Sequence, residues 1–189
     1  MFHRSLKRCA VALLLALAGC ASGSRSTTGG ITISATDTTP PTLSFGAGQP
    51  GGQNVSVSAG GSPGSMTLRS KTGVLNLMAS ANDPESGVQS LQIWMTTETT
   101  TCNASGICTK VGPGLAGAPK YDNTSPQKLP GQTTAASSIM LEALDLSQEI
   151  GSPAAGSSRT TSLHFWAVSV NNLGLKSQTL ELIASWREP

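Results

Sequence analysis

Histidine and cysteine supply most of the acid–base and nucleophilic chemistry open to a small domain near neutral pH, and this chain has two histidines and four cysteines. His3 and Cys9 lie in an N-terminal stretch that reads as a removable leader, so a site of this kind must be built on His164. That residue falls inside Leu163–Asn171, where large apolar residues alternate with others as in a strand, and its phase turns it outward. A Ser-His-Asp or Cys-His arrangement has only this imidazole to use. No HExxH helix or GxxxxGK phosphate loop occurs, so neither a catalytic residue nor a cofactor is expected.

Two other groups bear on chemistry. Asp83 and Glu85, with Asn82, offer oxygen ligands in a turn, but two acids fall short of the 6–8 oxygens calcium takes. A plain turn is the simpler reading, and no metal is expected. Cys102 and Cys108 enclose Asn103-Ala104-Ser105-Gly106-Ile107, a run suited to a tight hairpin tip. Facing strand ends bring cysteine Cα atoms within bridging range, and a disulfide is expected in an oxidising compartment. Five residues separate the thiols, which excludes a CxxC redox or zinc motif. Ser125-Pro126-Gln127-Lys128 and Lys71-Thr72-Gly73 match the SxxK and KTG motifs of penicillin-interacting enzymes, but in reversed order and in a chain too short and helix-poor for that fold.

The aromatic residues give the pattern most suggestive of binding. If Leu91, Ile93 and Met95 face a core, Trp94 faces out; if Leu163, Phe165 and Ala167 face in, then His164, Trp166, Val168 and Val170 face out. On neighbouring strands Trp94 and Trp166 would lie side by side, with Ile183 close by. Indole rings offer a large contact area with a polar handle, suited to a sugar ring or a protein surface. The competing expectation is that the Gly-, Pro- and Ser-rich stretches 44–73 and 110–136 fold over this face.

The elements that must position these residues are strands. Charged residues make up only 12% of the chain while Gly, Ser and Thr abound, a composition that favours turns and β-structure. Alternating or apolar segments recur at 54–59, 66–69, 74–81, 88–96, 138–146, 163–171 and 178–184, separated by turn residues. In 74–81 the inward set is Leu75, Leu77, Ala79 and Ala81; in 138–146 it is Ile139, Leu141 and Ala143. About seven short strands without a convincing amphipathic helix predict one all-β, antiparallel β-sandwich over residues 40–189.

The run Leu75 to Leu91, with its Asp83-Pro84-Glu85-Ser86-Gly87 turn, resembles the second and third strands of bacterial immunoglobulin-like domains. Phe165-Trp166-Ala167-Val168-Ser169-Val170-Asn171-Asn172-Leu173-Gly174-Leu175-Lys176-Ser177 is similar to the penultimate strand and last hairpin of that group, and Thr38 to Leu43 to its lead-in strand. The resemblance implies an immunoglobulin-like sandwich and no particular activity. Asn171 stands where the group carries an aspartate.

At the N-terminus, Arg4, Lys7 and Arg8 precede an apolar run from Cys9 to Ala18 that is shorter than the ~20 residues of a membrane span. Leu17-Ala18-Gly19-Cys20 resembles the bacterial lipobox, which implies cleavage of residues 1–19 and acylation of Cys20. Ala21, rather than aspartate, follows Cys20, which in a Gram-negative host implies the outer membrane; elsewhere the anchor would be the cell membrane. Residues 20–39, rich in Ser, Thr and Gly, are expected to be a flexible tether reaching ~25 Å. Without its leader the chain carries nine cations against ten acids, with no cationic run, so nucleic acid is not an expected partner. The expected role is a non-enzymatic envelope module, structural or binding a protein or glycan; the alternative is a small envelope hydrolase. Cys20→Ser is expected to abolish fatty-acid labelling and leader removal together, and labelled, normally cleaved protein from that variant would refute the anchor.

Overall fold

A computed structural model describes residues 24–31, 36–124 and 133–188. In chain order its strands are β1 (Ser24–Ile31), β2 (Thr42–Gly48), β3 (Asn54–Ser58), β4 (Gly64–Thr67), β5 (Val74–Asn82), β6 (Val88–Cys102), β7 (Cys108–Val111), β8 (Tyr121–Thr124), β9 (Thr133–Asp145), β10 (Ser158–Asn171) and β11 (Leu180–Glu188). One helical turn, α1 (Leu146–Glu149), lies between β9 and β10; Asp145 caps it by accepting from the Ser147 amide. Leader residues 1–19, Cys20 and the Ser125–Lys128 motif lie outside the described residues.

The strands form a two-sheet β-sandwich. One sheet runs β1-β9-β5-β2-β3; the other runs β4-β11-β10-β6-β7, with β8 also pairing β6. The chain crosses between sheets at the β5–β6 turn and again after β9, so β5 pairs β9 while β10 lies between β6 and β11. Period-two alternation builds its core: Leu75, Leu77, Ala79 and Ala81 from β5 face Leu91, Ile93, Leu163, Phe165, Ala167 and Leu182, all essentially inaccessible to solvent. Met66 and Leu68 close the edge beside β11.

Three expectations need correction. Ser24–Ile31, expected to be tether, pairs antiparallel with β9 as an edge strand; an open sheet edge offers its backbone partners whatever the side chains. The stretch 44–73 is broken by three short strands rather than being one long connection. It gives β2 and β3 to one sheet and β4 to the other, where β4 runs parallel to β11. In β9 the expected inward Ala143 is exposed, whereas Leu144 and Leu146 are buried. The register against β5 shifts between Leu77 and Ala79: Ala79 opposes Ile139 but Leu77 opposes Glu142. One extra β9 residue is taken up there, and the inward phase inverts beyond it.

At the far end of β6, Cys102 and Cys108 oppose one another and are disulfide-bonded. Asn103 Oδ1 accepts from the Ser105 and Ile107 amides at 3.0 and 2.9 Å, and Gly106 takes the left-handed conformation the tip requires. Phe165→Ala is expected to lower unfolding free energy by ~3–5 kcal/mol, because it empties the centre of the core. Val111→Ala on the exposed β7 should stay within ~0.5 kcal/mol; denaturant unfolding of both variants checks the contrast.

Candidate functional site

The β6–β10 register places Trp94 directly opposite Trp166, and the β10–β11 register sets Glu181 on the far side of Trp166. One row along, His164 lies between Thr96 and Ile183; one row the other way, Val168 opposes Gln92. Trp94, His164, Trp166, Val168 and Ile183 thus share the outer face of one sheet, as their alternation predicts. Each is half-buried. Within the 44–73 segment, β3 and β4 lengthen the sheets at their edges, and their connection reaches Trp166 through Gly61, Ser62 and Pro63.

His164 is held on three sides. Its ring stacks on Trp166 with centroids 5.9 Å apart and planes 23° from parallel. Nδ1 donates to Glu181 Oε1 at 3.3 Å, and Nε2 lies 3.8 Å from Glu98 Oε2, which in turn pairs with Lys110 at 3.0 Å. A row of ionisable side chains therefore crosses four strands: Lys110 on β7, Glu98 on β6, His164 on β10 and Glu181 on β11. The His164 side chain is only 12% exposed, and it lines none of three surface cavities. This geometry fixes the plane of the Trp166 indole and the position of the Glu181 carboxylate. Ser162, two residues away on β10, has its hydroxyl bonded to Ser185 at 2.9 Å, whereas Thr96, opposite His164, carries a buried hydroxyl without a hydrogen-bond partner among the described residues.

The acidic turn has a different surrounding from the one its sequence suggests. Asp37, from the lead-in segment, joins Asp83 and Glu85, so that three carboxylate oxygens lie within 4.8 Å of one another. Asp83, 2% exposed, accepts through Oδ1 from the amides of Glu85, Ser86 and Gly87 at 3.2, 2.8 and 3.2 Å. Ser86 Oγ bridges to Asp37 Oδ2 at 2.5 Å, and the fully buried Asn171 donates through Nδ2 to Asp83 at 3.0 Å and Asp37 at 3.3 Å. Asn171 Oδ1 accepts from the Leu173 and Leu175 amides at 3.0 and 2.8 Å, which builds the last hairpin. An aspartate at 171 would face two carboxylates with a third; the amide makes the junction a neutral-donor clamp. Asn82 lies outside it, giving its backbone oxygen to Thr42. Lys71 of the KTG sequence is spent on Glu188, at 2.5 Å, and on Ser152, at 3.0 Å.

Three features escaped the sequence reading: the Glu98 and Glu181 flanks of His164, the Asp37 contribution, and a cavity beside Trp166. The first was recoverable, since Glu98 keeps the phase of Trp94, and Glu181 that of Ile183. The others depend on long-range pairing. A scan of protein-family models finds no match to this chain, and comparisons with curated proteins and with solved structures find none either.

Hydrogen bonds from the Ser86 hydroxyl and then from the Thr39 amide hold the Asp37 carboxyl below the usual aspartate range. Its folded value is thus depressed, so the contacts it makes are complete above the ordinary aspartate value of ~3.9 and fade as pH falls through the lowered one. The Thr39 amide proton, 2.7 Å from Asp37 Oδ1 by nitrogen position, should report that titration by NMR, with an inflection below ~3.9 that Asp37→Asn abolishes. An inflection at or above the ordinary value would show the clamp does not form.

Proposed function

We propose that this chain is a bacterial envelope lipoprotein whose immunoglobulin-like sandwich is a non-enzymatic binding module. Its leader is removed before Cys20, acyl chains on that residue hold it to the membrane, and Ala21 directs it to the outer membrane of a two-membrane host. The observation that carries the binding role is the juxtaposition of Trp94 and Trp166 across β6 and β10 on the outer face of a strongly determined sheet. His164 is a positioning residue in this reading. Its carboxylate and indole contacts orient the face, which favours binding over the hydrolase alternative.

The edge strand β1 changes the picture of the anchor. Ala21, Ser22 and Gly23 are all that separate Cys20 from Ser24. At ~3.5 Å per residue the acylated cysteine lies within ~14 Å of the β1–β9 edge. While β1 is paired, the sandwich is held close against the headgroups instead of standing ~25 Å clear on a free coil.

The test uses the acylated protein extracted in detergent. A partner retained by the parent chain should be lost on Trp94→Ala and on Trp166→Ala, each weakening binding by ~2 kcal/mol or more, with near-parental melting temperatures. Unchanged retention by both variants refutes the face. Losses of ~3–5 kcal/mol in stability would instead make the indoles core residues.

A further inference from the structure

Beside Trp166 the surface is concave. A cavity of about 320 Å³ lies between the β3–β4 connection, which contributes Gly61, Ser62 and Pro63, and the start of β11, which contributes Gln178, Thr179 and Glu181. Gln178 Oε1 accepts from the Gly60 amide at 2.9 Å, and the parallel pairing of Gly64 with Leu182 follows directly, so both walls are fixed relative to each other. From this we infer that the cavity is a subsite for one uncharged sugar ring, stacked against Trp166. The inference deepens the binding-module reading and rests on it.

The chemistry of the lining selects the ligand. Pyranose rings carry an apolar C–H face and a rim of hydroxyls, and a site for them needs an aromatic face with donors and acceptors around its edge. Trp166 supplies the aromatic surface, and its stack on His164 holds the indole plane in advance of binding. Around it, Ser62 Oγ, Thr179 Oγ1, the Gln178 Nε2 amide and Glu181 Oε2 have no hydrogen-bond partner among the described residues. They offer a mixture of donors and acceptors, as a polyol requires. Among the described residues no Lys or Arg lines the cavity and Glu181 is the one acid, so phosphate, sulfate and carboxylate groups are disfavoured. The volume lies at the small end of the ~300–1,000 Å³ typical of ligand pockets, which suits one ring of a longer chain. Because the two connections that form the walls are tied to one another by the Gly60–Gln178 hydrogen bond, little ordering accompanies binding.

The full-length acylated protein, in a detergent without a sugar headgroup, should be applied to an array of neutral, amino-bearing and acidic oligosaccharides. The best neutral oligosaccharide is then titrated against tryptophan fluorescence. Retention of neutral glycans is expected, with Trp166→Ala weakening binding at least tenfold and Gln178→Ala and Thr179→Ala each at least threefold. Val111→Ala, on β7 and outside the cavity lining, should change it less than twofold. Gln178 and Thr179 are exposed, so those variants keep the test valid if Trp166→Ala is unstable. Retention of no neutral glycan, a preference for acidic or amino-bearing ones, or indifference to both exposed-site variants would overturn the sugar subsite. If the subsite fails while Trp94→Ala still releases an envelope partner, the binding face survives; loss of neither glycan nor partner on any of these changes removes both.

Discussion

The antiparallel register between β6 and β10 is the constraint on which the remaining features depend. The two strands pair from Ser158 with Cys102 to Val170 with Ser90 before a bulge breaks the ladder. Every inward pair they create has an outward neighbour, so the choice that buries Leu91, Ile93, Leu163, Phe165 and Ala167 also brings Trp94 against Trp166. A one-residue slip of β10 would expose Leu163, Phe165 and Ala167 and bury His164 and Trp166. Each large side chain withdrawn from water contributes ~1.5–3 kcal/mol, so the core settles the register by a wide margin. The outer face inherits a precision that its own contacts do not need to supply.

A second, polar constraint operates at one pole of the sandwich. Asp83 and Asn171 are both buried, and burial of such groups is tolerated only when their hydrogen bonds are made. Here each is satisfied by backbone amides of its own turn and by the other, so the β5–β6 turn and the β10–β11 hairpin are locked together. Asp37 then adds the lead-in segment to the same junction. The opposite pole has no such network among the described residues; there the disulfide between Cys102 and Cys108 closes the hairpin covalently. An exposed β7, with both neighbouring side chains in solvent, buries too little to hold itself against β6 by packing alone.

Much of this was legible in the sequence because β5, β6, β10 and β11 follow strict period-two patterning with large residues on one side. The disulfide was legible for a related reason, since Asn103 and Gly106 name their turn. Where the reading failed, non-local pairing decided. Nothing within β9 announces the extra residue that reverses its phase, because a bulge is a property of two strands in register. Ser24–Ile31 has the composition of a linker and becomes a strand by using an edge that β9 leaves open. Asp37 sits more than forty residues from its partners Ser86 and Asp83, beyond any local motif. The Asn171 departure from the immunoglobulin-like pattern was visible, but its consequence was not until two carboxylates were found facing its amide nitrogen.

Recognition sites on sandwiches are usually carried by loops, which adapt at the cost of ordering entropy. Here the strongest candidate lies on strands and at strand ends. Trp166 is braced by His164, His164 by Glu181, and Glu181 by its ladder position on β11. A bracing chain of this kind fixes rotamers that would otherwise be free, which is how a weakly polar site gains affinity without additional contacts. It also limits what the site can accept. A rigid indole beside a polar rim with a single carboxylate selects for a ligand that is itself rigid and flat on one side, and discriminates poorly among ligands that share that face. Low affinity per site and tolerance of chemical detail follow from the geometry. Both suit the proposed lipid anchor, which would set many copies against a repeating polymer so that the effective concentration of the next site replaces tight binding at the first.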